Sequence, residues 1–444
     1  MDVFERLESN VRSYCRAFPT VFCSAKGAIL RASDGKEYID FLSGAGALNY
    51  GHNNDDIKNK IISHINSDGI THGLDFFTES KQEFLTTFDD IVLKPRDLRY
   101  KVQFCGPTGA NGVEAALKLA RIATGRSGVF SFMGGYHGMS MGSLAASGNR
   151  FHRAGAGTPL GNTTFFPYGD AYGAPFDTID YMEMVLEDTH SGVEVPAAII
   201  FETVQAEGGI YVAPIPWMQR LRALADKYGI LLICDDIQVG CGRTGTFFSF
   251  ERAGIVPDMV VLSKSISGYG LPMSLLLIKP EHDAWEPGQH TGTFRGNQLA
   301  FVGGAAALEY LRDRGILDIA VESGSFIEQY LRQEIEPISP QIKVRGIGMI
   351  WGIDVAELGG PDLAGTVAKR CFELGLIVER VGRRDTVLKI IPPLNVERDL
   401  LERGCSIIKQ ALLEALPQST TKAPQGDRSA RRAPHAQQGG DVRI

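Results

Sequence analysis

No run of apolar residues in this chain is long enough to cross a bilayer. The opening stretch MDVFERLESNVRSY carries charges where a secretory leader would carry an apolar core. Cysteine is sparse and scattered: Cys15, Cys23, Cys105, Cys234, Cys241, Cys371 and Cys405 are odd in number and contain no C-x-x-C. Such spacing argues against a disulfide framework and for reduced thiols, so a cytoplasmic protein is expected. The histidines, among them His52, His72, His137 and His290, form no H-x-x-x-H pair, and no metal site is expected. The formal net charge is -7 and no basic stripe runs through the body, so neither nucleic acid nor a membrane is an expected partner.

What the chain does have is apolar bulk and glycine. Hydrophobic residues make up 44% of its 444 positions, and many of its 51 glycines lie in short loops between apolar runs. Short apolar runs at 101–104, 128–132, 197–201, 230–234, 258–262 and 274–278 alternate with helical patterns such as 108–123 and 216–227. Continuous apolar strands separated by helices predict an α/β fold with a mostly parallel central sheet covered on both faces. In GAILRASDGKEYIDF the apolar runs flank Ser33-Asp34-Gly35, a hairpin signal. A helix follows over 55–66, with Ile57, Ile61, Ile62 and Ile65 placed on one face. Beyond about Ala300 the pattern shifts to long helices and short strands, which predicts a smaller α+β unit. The expected division is an N-terminal segment, 1–60, contributing to the small domain, a large domain over 61–300, the small domain over 301–417, and a tail over 418–444. That tail has almost no large apolar residues and is expected to be disordered.

Three short stretches can carry chemistry. Gly106-Pro107-Thr108-Gly109-Ala110-Asn111-Gly112 follows a strand and opens a helix. Free amides at a helix N-terminus suit a phosphate, although a glycine-rich turn with no ligand reads the same way. Asp235 and Asp236 come directly after an apolar strand, where an acid is a functional group, a helix cap or, in principle, a metal ligand. Lys264, in VVLSKSISGYGLP, follows another buried strand among small residues. Burial lowers a lysine's pKa and makes it a nucleophilic amine able to form a Schiff base, unless the side chain simply snorkels to the surface. An amine, an anion cradle and an acid together suit one cofactor, pyridoxal 5'-phosphate (PLP), which acts as an electron sink when its ring nitrogen carries positive charge. Tyr136, in the GGYHG loop, offers a flat face for stacking on that ring.

Over residues 18–416 the chain resembles the class III (ω-amino acid) aminotransferases of PLP fold type I, the aspartate aminotransferase-like fold. The resemblance rests on DGKEYIDFLSG, YGHNN, TGANGVEAALKLAR, GYHG, ETVQAEGG, ICDDIQVGCGRTG, LSKSISGYGLPMS and HTGTFRGN, all in order. It implies that Lys264 carries PLP and shuttles the proton. It implies that Asp235 pairs with the ring nitrogen and Gln238 with the ring hydroxyl. Ile237 packs beneath the ring and Tyr136 above it, with His137 beside Tyr136 among the cofactor residues. Gly109 and Ala110 hold the phosphate, Glu202 lies near the ring's polar edge, and Glu207 lies in the loop that meets substrate. Thr293 reaches the phosphate of a neighbouring subunit, which implies a homodimer or a dimer of dimers.

Departures from the family pattern bear on the substrate. Where many members carry arginine a few residues before Pro-Pro-Leu, the stretch VLKIIPPLN has Lys389, which lacks arginine's bidentate fork. Where many have arginine after the aromatic-His-Gly motif, Met139 stands. Arg295, at a place that is often glycine, is the candidate replacement anchor; Arg12 and Arg16 are weaker ones. These features, with FERLESNVRSYCRAFP, LNYGHNN and DGITHGLDFFTESK, resemble the branch that makes diaminobutyrate from glutamate in ectoine biosynthesis. Amino transfer from L-glutamate to L-aspartate 4-semialdehyde is therefore expected.

Overall fold

A computed structural model describes residues 2–169 and 176–416; the tail expected over 418–444 lies outside the described residues. Its centre is a seven-stranded sheet in the order Lys101–Phe104, Leu275–Ile278, Met259–Leu262, Leu231–Asp235, Ala198–Phe201, Val129–Phe132, Thr163–Phe166. Leu275–Ile278 runs antiparallel to both neighbours, and the remaining pairs are parallel. The central strands are buried along their whole length. Side chains alternate between faces with the pleat. Ile199, Phe201, Leu232, Cys234, Val260 and Leu262 join one core. Ala198, Ile200, Leu231, Ile233, Met259 and Val261 join a second core on the other face, capped by Val113, Ala116, Leu117 and Ala120 of the helix Gly109–Thr124.

Smaller sheets flank this one. Phe22–Lys26, Ile29–Ala32 and Glu37–Asp40 form an antiparallel meander, and Leu376–Ile377 adds to it in parallel, so segments far apart in the chain share a sheet. The turn before Glu37–Asp40 holds Gly35 at φ +88°, and the Asp34 carboxylate accepts from the Lys36 amide at 3.0 Å. A four-stranded antiparallel sheet follows in the order Lys343–Ile347, Ile350–Asp354, Val387–Ile390, Glu379–Val381. The helix Asp55–Asn66 buries Ile57 and Ile61 but leaves Ile62 and Ile65 exposed. At 100° per residue the four span a stripe, and its packing partner, Gln298–Asp313, covers only one edge of it. No helix among the described residues is long and apolar enough to cross a membrane.

Candidate active site

A cavity of about 290 Å³ opens at the carboxyl ends of the parallel strands, where α/β sheets gather their ligands. Gly109, Ala110, Tyr136, His137, Glu202, Glu207, Asp235, Ile237, Gln238 and Lys264 all line it, with Met139. Each arrives from a strand end. Asp235 is the last residue of Leu231–Asp235, Glu202 follows Ala198–Phe201, and Lys264 stands two residues past Met259–Leu262. Tyr136 and His137 belong to the loop after Val129–Phe132.

Lys264 has φ +51°, a conformation that L-residues rarely hold and that the packed surroundings must enforce. Its Nζ donates to the Ala45 carbonyl at 2.9 Å. That carbonyl is presented by a left-handed turn, with Ser43, Gly44, Ala45 and Gly46 all at positive φ. Ser265 Oγ pins the turn by donating to Gly46 O at 2.6 Å. Burial pulls the Lys264 amine down to about 8, although Glu207 nearby favours its charged form.

The acid is equally fixed. His137 Nδ1 lies 2.7 Å from Asp235 Oδ2, both side chains buried, and the Ile237 amide donates to Asp235 Oδ1 at 3.3 Å. Glu202 accepts from the Tyr136 amide at 3.1 Å, and burial together with the charge of Asp235 pushes its carboxyl well above the usual range. That rise favours the protonated form of Glu202, which can donate a hydrogen bond. The neighbouring Asp236 faces away from the cavity. It accepts from the Ser249 amide at 3.0 Å and from the Ser249 hydroxyl, and burial raises it to about 7.

At the third wall, Thr108 caps the helix Gly109–Thr124 by accepting from the Asn111 amide at 3.2 Å. The helical ladder begins with the Gly112 amide on Thr108 O, which leaves the amides of Gly109 and Ala110 outside it. A Cβ on Gly109 would lie 2.8 Å from Ile237 Cδ1 and would push that side chain out of its place.

Lys389, on the strand Val387–Ile390, does not line the cavity itself but pairs with Glu207, which does. It is fully buried, with Nζ 2.7 Å from Glu207 Oε1 and 2.8 Å from Glu379 Oε2. Gln238 Nε2 also donates to Glu207 Oε1, at 3.0 Å. Burial alone would raise Glu207, but Lys389 and Lys264 outweigh it and hold the carboxyl at about 2. Burial likewise opposes the charge on Lys389, and Glu207 and Glu379 more than restore it. Tyr14, from the N-terminal segment, donates to Glu379 Oε1 at 2.8 Å.

Glu379 and Tyr14 had escaped the sequence reading. Glu379 stands directly opposite Lys389 in the antiparallel pair Glu379–Val381 with Val387–Ile390, and a search for opposite charges across that hairpin finds it. Tyr14 gives no such signal. Thr293 and Arg295 are not brought into this cavity. Thr293 is exposed, and Arg295 forms an ion pair with Asp75 outside it. Arg12 pairs with Glu5 and Glu8 on the surface, and Arg16 donates to Asn10. Among the described residues no group of His, Cys, Asp or Glu is placed to hold a metal ion.

These walls fit the cofactor that the motifs imply. A buried amine of lowered pKa suits an aldehyde, a buried carboxylate oriented by histidine suits a ring cation, and uncommitted helix-end amides suit a phosphate. A profile of the family Aminotransferase class-III matches residues 12–412. The chain is 53% identical to the uncharacterized aminotransferase y4qG of Sinorhizobium fredii, covering 93% of this chain and 92% of that one. It is 49% identical to a diaminobutyrate--2-oxoglutarate transaminase of Bordetella parapertussis, covering 95% and 97%. Its fold superposes on the ornithine aminotransferase of Toxoplasma gondii with a TM-score of 0.81 at 24% identity, over 93% and 94% of the two chains. With the profile spanning nearly the whole chain and its lysine, aspartate and helix-end amides meeting in one cavity, this protein belongs to the class III aminotransferases, PLP-dependent enzymes of fold type I.

Proposed function

We propose that the enzyme transfers the amino group of L-glutamate to L-aspartate 4-semialdehyde, giving L-2,4-diaminobutyrate and 2-oxoglutarate. The observation that carries this reading is one cavity that holds Lys264, Asp235 and Glu207, with the Glu207 carboxylate paired to the fully buried Lys389 behind its wall. The extent of identity to the Bordetella transaminase supports the choice of substrates. The same product feeds ectoine synthesis in the branch that the sequence resembles.

PLP, when bound, supplies the electron sink that lets an amino acid exchange its α-proton and its amine. Gly109 and Ala110 hold the phosphate with their amides. Asp235 stabilises positive charge at the ring nitrogen, and His137 fixes the direction of that carboxylate. Gln238 and Glu202 would meet the polar edge of the ring, and Tyr136 and Ile237 would pack on its faces. Lys264 would hold the cofactor through its amine and, once freed, would serve as the base that takes and returns the substrate's proton. Lys389 receives a substrate carboxylate when Glu207 turns aside, which keeps the buried cation paired throughout. The active unit is proposed to be a dimer. Thr293 adjoins an exposed apolar surface of Phe294, Phe76 and Phe77, and a second copy would cover that surface and bring Thr293 to its phosphate. Arg295 belongs to the same surface and is proposed to act there, toward the neighbouring copy.

The substrate reading is tested with purified protein, PLP, L-glutamate and a panel of aldehydes. Aspartate 4-semialdehyde is expected to be the best acceptor, with one 2-oxoglutarate released per diaminobutyrate. Product without 2-oxoglutarate would indicate mutase or racemase chemistry instead. A pH dependence follows from the Lys264 amine near 8. Only the free base attacks an aldehyde, so the rate of cofactor capture by apoprotein is expected to climb as pH rises through about 8 and to level off above it. A flat profile from pH 6 to 9 would contradict the geometry given to that amine.

A further inference from the structure

Lys389 is flanked by two carboxylates, and one ammonium neutralises only one of them. Glu207 lines the cavity and its side chain keeps 28% of its exposure. Glu379 is not among the cavity's lining residues, keeps 12%, and is held by the Tyr14 hydroxyl at 2.8 Å. The register places Glu379 directly across from Lys389 on the adjacent strand, so backbone pairing keeps it beside Lys389 whichever way the Glu207 side chain turns. The partner of Lys389 that faces the cavity and the partner that does not are thus different residues.

We infer that Glu379, anchored by Tyr14, is a positioning residue that sets how strongly the Lys389 end of the cavity holds a substrate carboxylate. This rests on the reading of Lys389 as the carboxylate site. With Glu207 on Lys389, Glu379 repels one carboxylate. With substrate on Lys389, it repels two: the substrate's and that of the displaced Glu207. Glu379 therefore weighs against the anion-bound state, while it keeps Lys389 paired during the exchange. The result is a carboxylate site tuned to be weak, which favours release of a dicarboxylate product after the first half of a ping-pong cycle.

The test uses holoenzyme and glutarate, a dicarboxylate with no amine or keto group to react, its dissociation constant read from the cofactor's absorbance. Glu379→Gln is expected to lower that constant at least threefold, and Tyr14→Phe to lower it by a smaller factor. Damage to the fold weakens binding, so a tightening cannot come from lost structure. An unchanged or raised constant overturns the role given to Glu379. If Glu379→Gln does not yield folded holoenzyme, Tyr14→Phe decides alone by the same criterion. Lys389→Met separates the two layers of the argument. If it leaves glutarate binding unchanged, the carboxylate site itself is misplaced and the inference falls with it. If it weakens binding while Glu379→Gln brings no gain, only the inference falls.

Discussion

Lys264→Ala is expected to remove transamination altogether, by more than about a thousandfold, while the protein still binds PLP. Two functions are lost in one substitution. The amine that grips the aldehyde disappears, and so does the base that moves the α-proton; proton transfer alone typically contributes about 10²–10⁴-fold. The phosphate seat at Gly109 and Ala110 and the Asp235–His137 pair are untouched, so cofactor retention persists without the covalent link. The measurement is turnover with L-glutamate beside equilibrium dialysis of PLP. The reading of Lys264 fails if the alanine variant keeps more than a few per cent of activity. Added small primary amines are expected to restore part of the rate, since they resupply the missing base.

Asp235→Asn is expected to be the second most damaging change. A charge pair at about 4 Å in an effective dielectric of 20 is worth about 4 kcal/mol. At 1.4 kcal/mol per factor of ten that is a loss approaching a thousandfold in the proton-transfer step. Asparagine preserves the shape and can still meet His137, so the loss isolates the charge. The effect should fall on kcat more than on KM, because ring protonation matters most as negative charge develops on the substrate carbon. A variant within a factor of a few of the parent would mean that Asp235 orients His137 and does not serve the ring. An intact Asp235 with His137→Phe is expected to lose less, since the charge stays while its orientation loosens.

Several residues that line the cavity were legible because they lie at or just past the carboxyl ends of apolar strands, and the strands declare themselves by unbroken apolar runs. LLICD, MVVL and LLLI are buried on both faces, which removes the polar alternation of a half-exposed strand. The same property hid the direction of Leu275–Ile278. A doubly covered strand reads alike whether it runs parallel or antiparallel, and only the register reveals the reversal. Residues 55–66 read clearly as a helix, but how much of its apolar stripe is covered depends on a distant partner helix.

At the polar end of the site, local sequence carried less. Lys389 was visible as a replacement for a family arginine, and Glu207 as a residue of the loop that meets substrate. The third member, Glu379, comes from strand pairing, and the fourth, Tyr14, from a segment 365 positions away in the chain. The first shows only as opposite charges across a hairpin, and the second has no sequence pattern, since it is made through space by a fold that must be assembled first. Arg295 illustrates the converse. Its motif was informative, yet within its own chain the side chain pairs with Asp75 and not with the cavity that the motif suggested.

The central claim is a bond at a single nitrogen. Reduction of the PLP-saturated protein with borohydride, followed by digestion and mass spectrometry, should place a phosphopyridoxyl group on the peptide carrying Lys264 and leave Lys389 unmodified. A label on any other lysine, or no label at all on fully loaded protein, would contradict the account.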